Sequence, residues 1–384
     1  MAFKEHKPKP SYWDQQEYFE RIDIAVIGSG IVGLNAAINA KEMNPKLEVA
    51  VIERGPLPVG ASTRNAGFAC FGSISEILAD MEHQSETEIL NLVDLRLRGL
   101  RRLRERVGDS VLQYESLGSY EAFRGGEQIS YELCKEALPR FNELLAPITG
   151  IQSVYQPMDS AIDRFGFKGI EHLIYNQAEG LLNPGKMMTA LTKQAEALGV
   201  RFFFGMEIEE IEETEDGVNL MTDLDWELKV NKVIIATNGF SRKLLPKLDI
   251  KPSRNQVLIT KPIAGLKLRG AFHMDRGYFY FRHVGDRVLL GGGRNLAADE
   301  ETTDQFGVNH FILSTLSQLL RTTIIPDHDY EIDQSWSGIL GLGVKRGPIL
   351  QKQGNHIIIA VRLGGMGVAI GSLVGEEAAK LALS

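Results

Sequence analysis

The chain has 384 residues and only two cysteines, Cys70 and Cys134. So few thiols exclude a disulfide scaffold and a cysteine-rich metal site. The histidines, His6, His83, His172, His273, His283, His310, His328 and His356, show no ligand spacing, so no metal centre is expected. Positive charge is not in excess. The net charge is −8, which argues against a general binder of nucleic acid. One locally basic run, Arg96, Arg98, Arg101, Arg102, Arg104 and Arg106, reads as a solvated helix face. There is also no uninterrupted apolar run of about 20 residues, so no transmembrane segment is expected. The most apolar window, 356–375, is broken by Arg362 and by glycines and reads as a buried strand followed by a helix. Residues 1–21 are polar, hold no signal-peptide core, and read as an arm packed on the body. The cytoplasm is the default compartment.

What remains is an ordinary globular composition, 43% apolar and 24% charged. The length suits two domains or one large composite domain. The organising stretch begins at Ile22 to Ile27, a strand apolar enough for a parallel sheet covered on both faces. Gly28-Ser29-Gly30-Ile31-Val32-Gly33 follows, and a helix runs on to about Met43, ended by Asn44-Pro45. Gly28 permits the tight turn, Gly30 lets the backbone approach a pyrophosphate, and Gly33 lets helix and strand pack. The phosphates then sit at the helix N-terminus, where free N–H groups favour negative charge. A second strand, Leu47 to Ile52, ends at Glu53-Arg54. Glu53 lies about 20 residues beyond the third glycine, where a carboxylate accepts from ribose hydroxyls. Strand, turn, helix, strand and acid together point to a dinucleotide site.

Next comes Ser62-Thr63-Arg64-Asn65-Ala66-Gly67. Its hydroxyls, guanidinium and backbone N–H groups suit a diphosphate and a polar ring edge. Here the chain resembles the D-amino-acid-oxidase-type FAD-dependent oxidoreductases, relatives of glycine and sarcosine oxidases. The pattern is closest to the gamma-glutamylputrescine oxidoreductase branch. The resemblance implies that this loop passes the pyrophosphate and runs under the isoalloxazine. It implies a backbone contact near Ile208 along the adenine. It implies a second contact strand, Lys232 to Ile235, ending in Ala236-Thr237-Asn238-Gly239. It also implies that Gly364-Gly365-Met366-Gly367 opens the last helix at the pyrimidine edge of the flavin. Some relatives attach flavin through a His that falls near Arg64, and others through a C-terminal Cys absent here, so FAD is expected to be non-covalent.

The same resemblance places the hairpin Gly277–His283 with Arg287–Arg294, turning at Gly285-Asp286, beside the flavin. Tyr278, Tyr280 and Arg282 are then site candidates or packed sheet residues. His283 is either a base or structural, and Cys70 is either redox-active or a small buried thiol. Trp336-Ser337-Gly338 followed by Arg346-Gly347-Pro348 resembles the family's Trp-x-Gly and Arg-x-Pro segment, with the Arg displaced. Arg346 is thus a candidate carboxylate ligand. A Lys that promotes oxygen reaction in sarcosine oxidases would fall near Leu289, which puts fast oxygen reduction in doubt.

The remaining signals are structural. Ser85 and Glu88 make a capping box, and Val93, Leu97, Leu100, Leu103 and Val107 recur at helical spacing up to Gly108. A helix near 130–147 buries Tyr131 and Phe141. Another starts at Pro184.

The implied fold is α/β. A composite Rossmann-like FAD-binding domain of glutathione-reductase type takes 22–80, 166–240 and 336–384. An α+β substrate domain with a mixed or antiparallel sheet takes 81–165 and 241–335. The implied reaction is oxidation of the CH–NH bond of a small amine or amino acid by hydride transfer to flavin N5, with imine hydrolysis afterwards. O2 or another acceptor takes the electrons. The alternatives are a flavin dehydrogenase of a hydroxy acid and a non-catalytic flavin-binding partner module.

Overall fold

The computed structural model describes residues 7–384. Two sheets organise them. Strand Ile24–Ile27 is buried along its whole length, because helices cover one face of its sheet and a three-stranded sheet, Ile208–Glu213, Val218–Thr222 and Glu227–Val230, covers the other. It pairs in parallel with Val49–Glu53 on one side and Lys232–Ile235 on the other. Arg201–Phe204 and Ile357–Val361 extend the sheet in parallel, and Ile349–Gln353 closes one edge antiparallel. Helix Ile31–Met43 is buried almost all round. A helix apolar on every side needs a second cover besides the sheet. The C-terminal helix Gly367–Leu383 supplies it, with Gly371 and Gly375 set against Ile31, Val32 and Asn35.

Helix Glu86–Val107 carries the capping box of Ser85 with Glu88 and stops at Gly108. It bridges two cores. Leu100 and Leu103 pack with the first sheet, while Ile89, Val93 and Leu97 pack with Tyr131 and Phe141. Ser372 Oγ donates to the Gly99 carbonyl at 2.7 Å. The basic run is therefore not simply a solvated face. Arg96 is buried and donates to the Phe71 carbonyl at 2.6 Å, and Arg106 pairs with Glu42.

The second sheet has eight strands, in the order Ile332–Leu342, Lys251–Thr260, Arg287–Gly292, Phe279–Val284, Ala271–Met274, Ser119–Arg124, Ile170–Asn176 and Tyr155–Pro157. It contains the expected hairpin between Phe279–Val284 and Arg287–Gly292. Two of its strands depart from the boundaries expected above. Ile170–Asn176, inside 166–240, pairs with Ser119–Arg124. Ile332–Leu342 runs across the boundary at 336 and pairs along its length with Lys251–Thr260. Hydrogen-bond partners distant in sequence decide which sheet a strand joins, and periodicity does not reveal them.

One face of this sheet packs Phe272, Met274, Phe279, Phe281 and Leu290 with Ile312 and Leu316 of helix His310–Leu319. Alternation then turns His273, Tyr280 and Arg282 to the other face. In the arm, Phe19 packs on Phe203 and Trp226, and Trp226 Nε1 donates to the Pro8 carbonyl at 2.6 Å. Residues 1–6 lie outside the described residues. Among the described residues no helix is long and apolar enough to cross a membrane.

Candidate active site

The first strand, its turn and the following helix open one side of a chamber of about 330 Å³. Gly28 adopts φ +101, in the region that favours glycine. A Cβ on Gly33 would overlap the Gly28 carbonyl oxygen. A Cβ on Gly30 would come 2.9 Å from Ser62 Oγ, and that hydroxyl accepts from the Ile31 N–H at 2.9 Å. Helix N-terminus and loop hydroxyl thus converge at the chamber wall, where a diphosphate is favoured. Glu53 ends the second strand. Its Oε2 accepts from Ser29 N at 3.1 Å and Ser29 Oγ at 2.6 Å, and its Oε1 accepts from Gly55 N at 3.0 Å. The carboxylate is held in one orientation at the chamber edge. Arg54 lies over the Phe240 ring at 3.8 Å, an arrangement favourable for a cation. Ile31, Val32, Ile208, Ala236 and Thr237 also line this chamber.

A second chamber, of about 340 Å³, adjoins the first. Ala61, Asn65, Leu340, Gly365 and Val368 border both. The loop between the chambers is braced internally. Asn65 Nδ2 donates to the Ser62 carbonyl at 2.7 Å, and its Oδ1 accepts from Gly67 N at 2.8 Å. Arg64 donates to the carbonyls of Val59 and Ser337, and Trp336 Nε1 donates to the Arg64 carbonyl. Gly364, Gly365 and Gly367 border the first chamber, while Gly365 and Met366 border the second. No heavy atom lies within 4 Å of a Cβ built on Gly60, Gly364 or Gly365. The backbone there is open to a ligand, and the N-terminus of the last helix stands beside the junction.

Not every expected residue reaches a chamber. Thr63 turns its hydroxyl back to the Pro58 and Gly60 carbonyls. Gly67 and Gly239 also stay outside both linings. A Cβ on Gly239 would come 2.6 Å from the Leu340 carbonyl oxygen, so this glycine admits a neighbouring strand. Arg282 departs most from expectation. Its Nη1 donates to the carbonyls of Ala66, Gly67 and Leu182, and its Nε to that of His283. Burial pulls its pKa down to about 10. Nη1 ties the loop under the junction to the sheet, Nη2 lies 4.0 Å from the Glu115 carboxylate, and Arg282 lines neither chamber. Buried carbonyls that need donors outcompete the cavity for its N–H groups.

Tyr280 does line the second chamber, as do Ala66, Arg64 and Tyr278. Asn255 Nδ2 donates to the Tyr280 hydroxyl at 3.0 Å, and Phe68 meets the Tyr280 ring edge-on. Burial pushes the Tyr280 hydroxyl pKa up, so the phenol stays protonated. Arg346 reaches the rim, about half exposed, and pairs with Asp80 at 3.0 Å. Cys70 borders the chamber with its Sγ 3.9 Å from Met366 Sδ. Burial raises its thiol pKa well above the usual value, which disfavours the nucleophilic thiolate. His283 is buried against Gly270 N and Glu115 and lines neither chamber.

Several wall residues carried no signal strong enough to be singled out. Asn238, at positive φ, accepts from Leu363 N at 3.1 Å and lines the first chamber. Asn255, His273, Arg276 and Arg294 line the second, with Glu76 and Asp80 from helix Ile74–Met81. For His273 a signal existed, since it is the polar position between Phe272 and Met274 in an alternating strand.

Residues 23–381 match the family model described as "DAO: FAD dependent oxidoreductase". The chain is 25% identical over 378 residues to a probable oxidoreductase OrdL of Rhizobium meliloti, covering 94% of this chain and 83% of the relative. It is 26% identical over 375 residues to a D-amino acid dehydrogenase of Rhizobium johnstonii, covering 82% and 85%. Among solved structures, glycine oxidase from Geobacillus kaustophilus superposes with a TM-score of 0.73 at 19% identity, covering 94% of this chain and 95% of that one. L-Proline dehydrogenase from P. horikoshii also gives 0.73, at 18% identity, covering 94% and 93%. These structural likenesses establish a shared fold.

Proposed function

We propose a reaction from one premise: this chain belongs to the DAO family of FAD-dependent oxidoreductases. It oxidises the carbon–nitrogen bond of a small amine or amino acid, and the imine released is hydrolysed in water. The observation that carries this reading is that the two chambers adjoin and share Ala61, Asn65, Leu340, Gly365 and Val368 in their walls. A dinucleotide laid in the first would bring its reactive end toward the second. Several relatives, D-amino acid dehydrogenases and a glycine oxidase, are named for amine-bearing substrates.

When bound, FAD supplies the hydride acceptor at N5. The chain does the rest. Ser62 and the N-terminus of Ile31–Met43 would hold the diphosphate, and Glu53 would hold the ribose. The open backbone at Gly364 to Gly367, at a helix N-terminus, would favour negative charge on the ring edge. Phe68, Tyr278 and Tyr280 enclose the substrate and exclude water. Arg346, shared with Asp80, receives a substrate carboxylate at the rim. Leu289, where the oxygen-promoting Lys of sarcosine oxidases would fall, is packed with Ala66 and Val257, which disfavours fast reduction of O2 and leaves the acceptor open.

An anaerobic bleaching screen tests the reading. The yellow protein should bleach with members of a panel of primary and secondary amines, D-amino acids and N-methyl amino acids, and not with hydroxy acids. Bleaching by hydroxy acids alone would overturn the amine assignment. No bleaching by any compound would favour a non-catalytic flavoprotein.

A further inference from the structure

The wall of the second chamber also holds an imidazole. His273 is only 7% exposed, yet it borders the chamber. Its Nε2 is buried without a hydrogen-bond partner and faces the Glu179 carboxyl at 3.9 Å. Neutral imidazole carries one donor and one acceptor nitrogen. A ring with one edge on a cavity and the other toward a carboxyl can pass a proton between them.

Glu179 is enclosed behind the wall. Its Oε1 accepts from Phe71 N at 2.7 Å and Gly72 N at 3.0 Å, and its Oε2 accepts from Ser119 Oγ at 2.5 Å. Cys70, Glu76, Tyr114 and Tyr155 are the ionisable groups around it. Arg96 is nearby, with its Nη1 on the Phe71 carbonyl. Glu121 and Tyr280 flank His273 on the adjoining strands. Burial raises Glu179 to about 7 and lowers His273 to about 4. A neutral imidazole thus stands between the chamber and a carboxyl that titrates near neutral pH.

We infer that His273 and Glu179 form a proton relay that deprotonates the ammonium group of the substrate, His273 touching it and Glu179 acting through His273. The inference rests on the amine reading above. The N–H bond of the ammonium breaks, and its electron pair stays on nitrogen. The proton goes to the ring nitrogen facing the chamber, while the Nε2 proton passes to Glu179. The ring ends neutral in its other tautomer, Glu179 ends protonated, and the amine holds the lone pair that imine formation needs. Burial that makes imidazolium costly does not oppose this path, because no net charge rests on the ring. The 3.9 Å gap must tighten when substrate binds, as catalytic hydrogen bonds commonly do.

Glu179→Gln tests the relay with little damage, because the amide keeps an oxygen for Phe71 and Gly72 and can donate to Ser119. His273→Gln is the second variant. At a saturating concentration of an amine that bleaches the wild type, anaerobic stopped-flow should show flavin reduction rising with an inflection near pH 7. Both variants should reduce on the order of 10²-fold more slowly, and Glu179→Gln should lose the inflection. The second readout needs no turnover. In 15N-histidine-labelled protein, the His273 signal, identified by its loss in His273→Gln, should shift near pH 7 and stop doing so in Glu179→Gln. Wild-type rate and inflection in Glu179→Gln would overturn the relay, and so would a His273 signal unchanged between pH 6 and 8. Failure of every amine to bleach the wild type would overturn the functional reading instead, and the ring signal would still decide whether the two residues are coupled.

Discussion

Replacing Arg282 by methionine removes four N–H···O contacts from the region under the chamber junction, to Ala66, Gly67, Leu182 and His283. The Gly67 carbonyl keeps the Leu182 N–H at 2.8 Å, so it is not orphaned. Each other buried acceptor left unpaired costs about 1–3 kcal/mol. The arginine itself is held at a desolvation cost, visible in its lowered pKa, and methionine recovers part of that. The net loss is then about 3 kcal/mol. Unfolding entropy of about 2.1 cal/mol/K per residue gives about 0.8 kcal/mol/K for 384 residues. Differential scanning calorimetry should therefore show Tm lower by about 4 °C. Arg282→Lys should fall between wild type and methionine, since an ammonium lacks the planar fork. Substrate affinity, read from the concentration dependence of anaerobic bleaching, should change little in either variant. An Arg282→Lys protein with wild-type Tm and at least about tenfold weaker substrate binding would refute this placement and make the guanidinium a substrate ligand.

Gly33→Ala forces a Cβ into the Gly28 carbonyl; apo-protein Tm and FAD affinity should both drop. Gly30→Ala meets only the rotatable Ser62 hydroxyl, so its apo-protein should melt near wild type while FAD titration shows weaker binding. Glu53→Gln should weaken FAD by about tenfold, read by flavin fluorescence quenching, through loss of a charged acceptor; unchanged affinity would remove the ribose role. Glu121 is buried, accepts from Ser73 Oγ and Ser75 N, and is raised from 4.5 to about 7. Its stabilising contribution is complete below pH 4.5 and is lost as pH rises through 7, about 3 kcal/mol in all. Glu179 acts in the same sense, and His273, lowered to about 4, acts oppositely between pH 6.5 and 4. Glu121→Gln should therefore lose less Tm than wild type between pH 5 and 8, and an equal loss would contradict the raised pKa. Arg346→Ala should weaken an amino acid substrate without affecting FAD, and equal substrate affinity would refute the rim contact.

Much of the wall of the first chamber was legible in the residues themselves. Strand, glycine turn, helix and Glu53 act within about 30 residues, and their geometry is local: a tight turn, a close helix packing, a carboxylate at a strand end. The βαβ pattern likewise pointed to an α/β chain, and the family resemblance implied a second sheet, mixed or antiparallel, which is mixed because Ala271–Met274 runs parallel to Ser119–Arg124. Local chemistry could not say where side chains of the far sheet would point. Tyr280 and Arg282 share one face of one strand, yet Tyr280 borders the chamber while Arg282 is drawn into carbonyls of the loop at Ala66 and Gly67. That choice depends on contacts between residues more than 200 positions apart. The same holds for His273 and Glu179, which meet only because strand Ala271–Met274 lies beside Ser119–Arg124. Short-range periodicity decides which residues are buried. Tertiary pairing decides which buried polar groups find partners, and those left without one at a cavity wall are where chemistry is available.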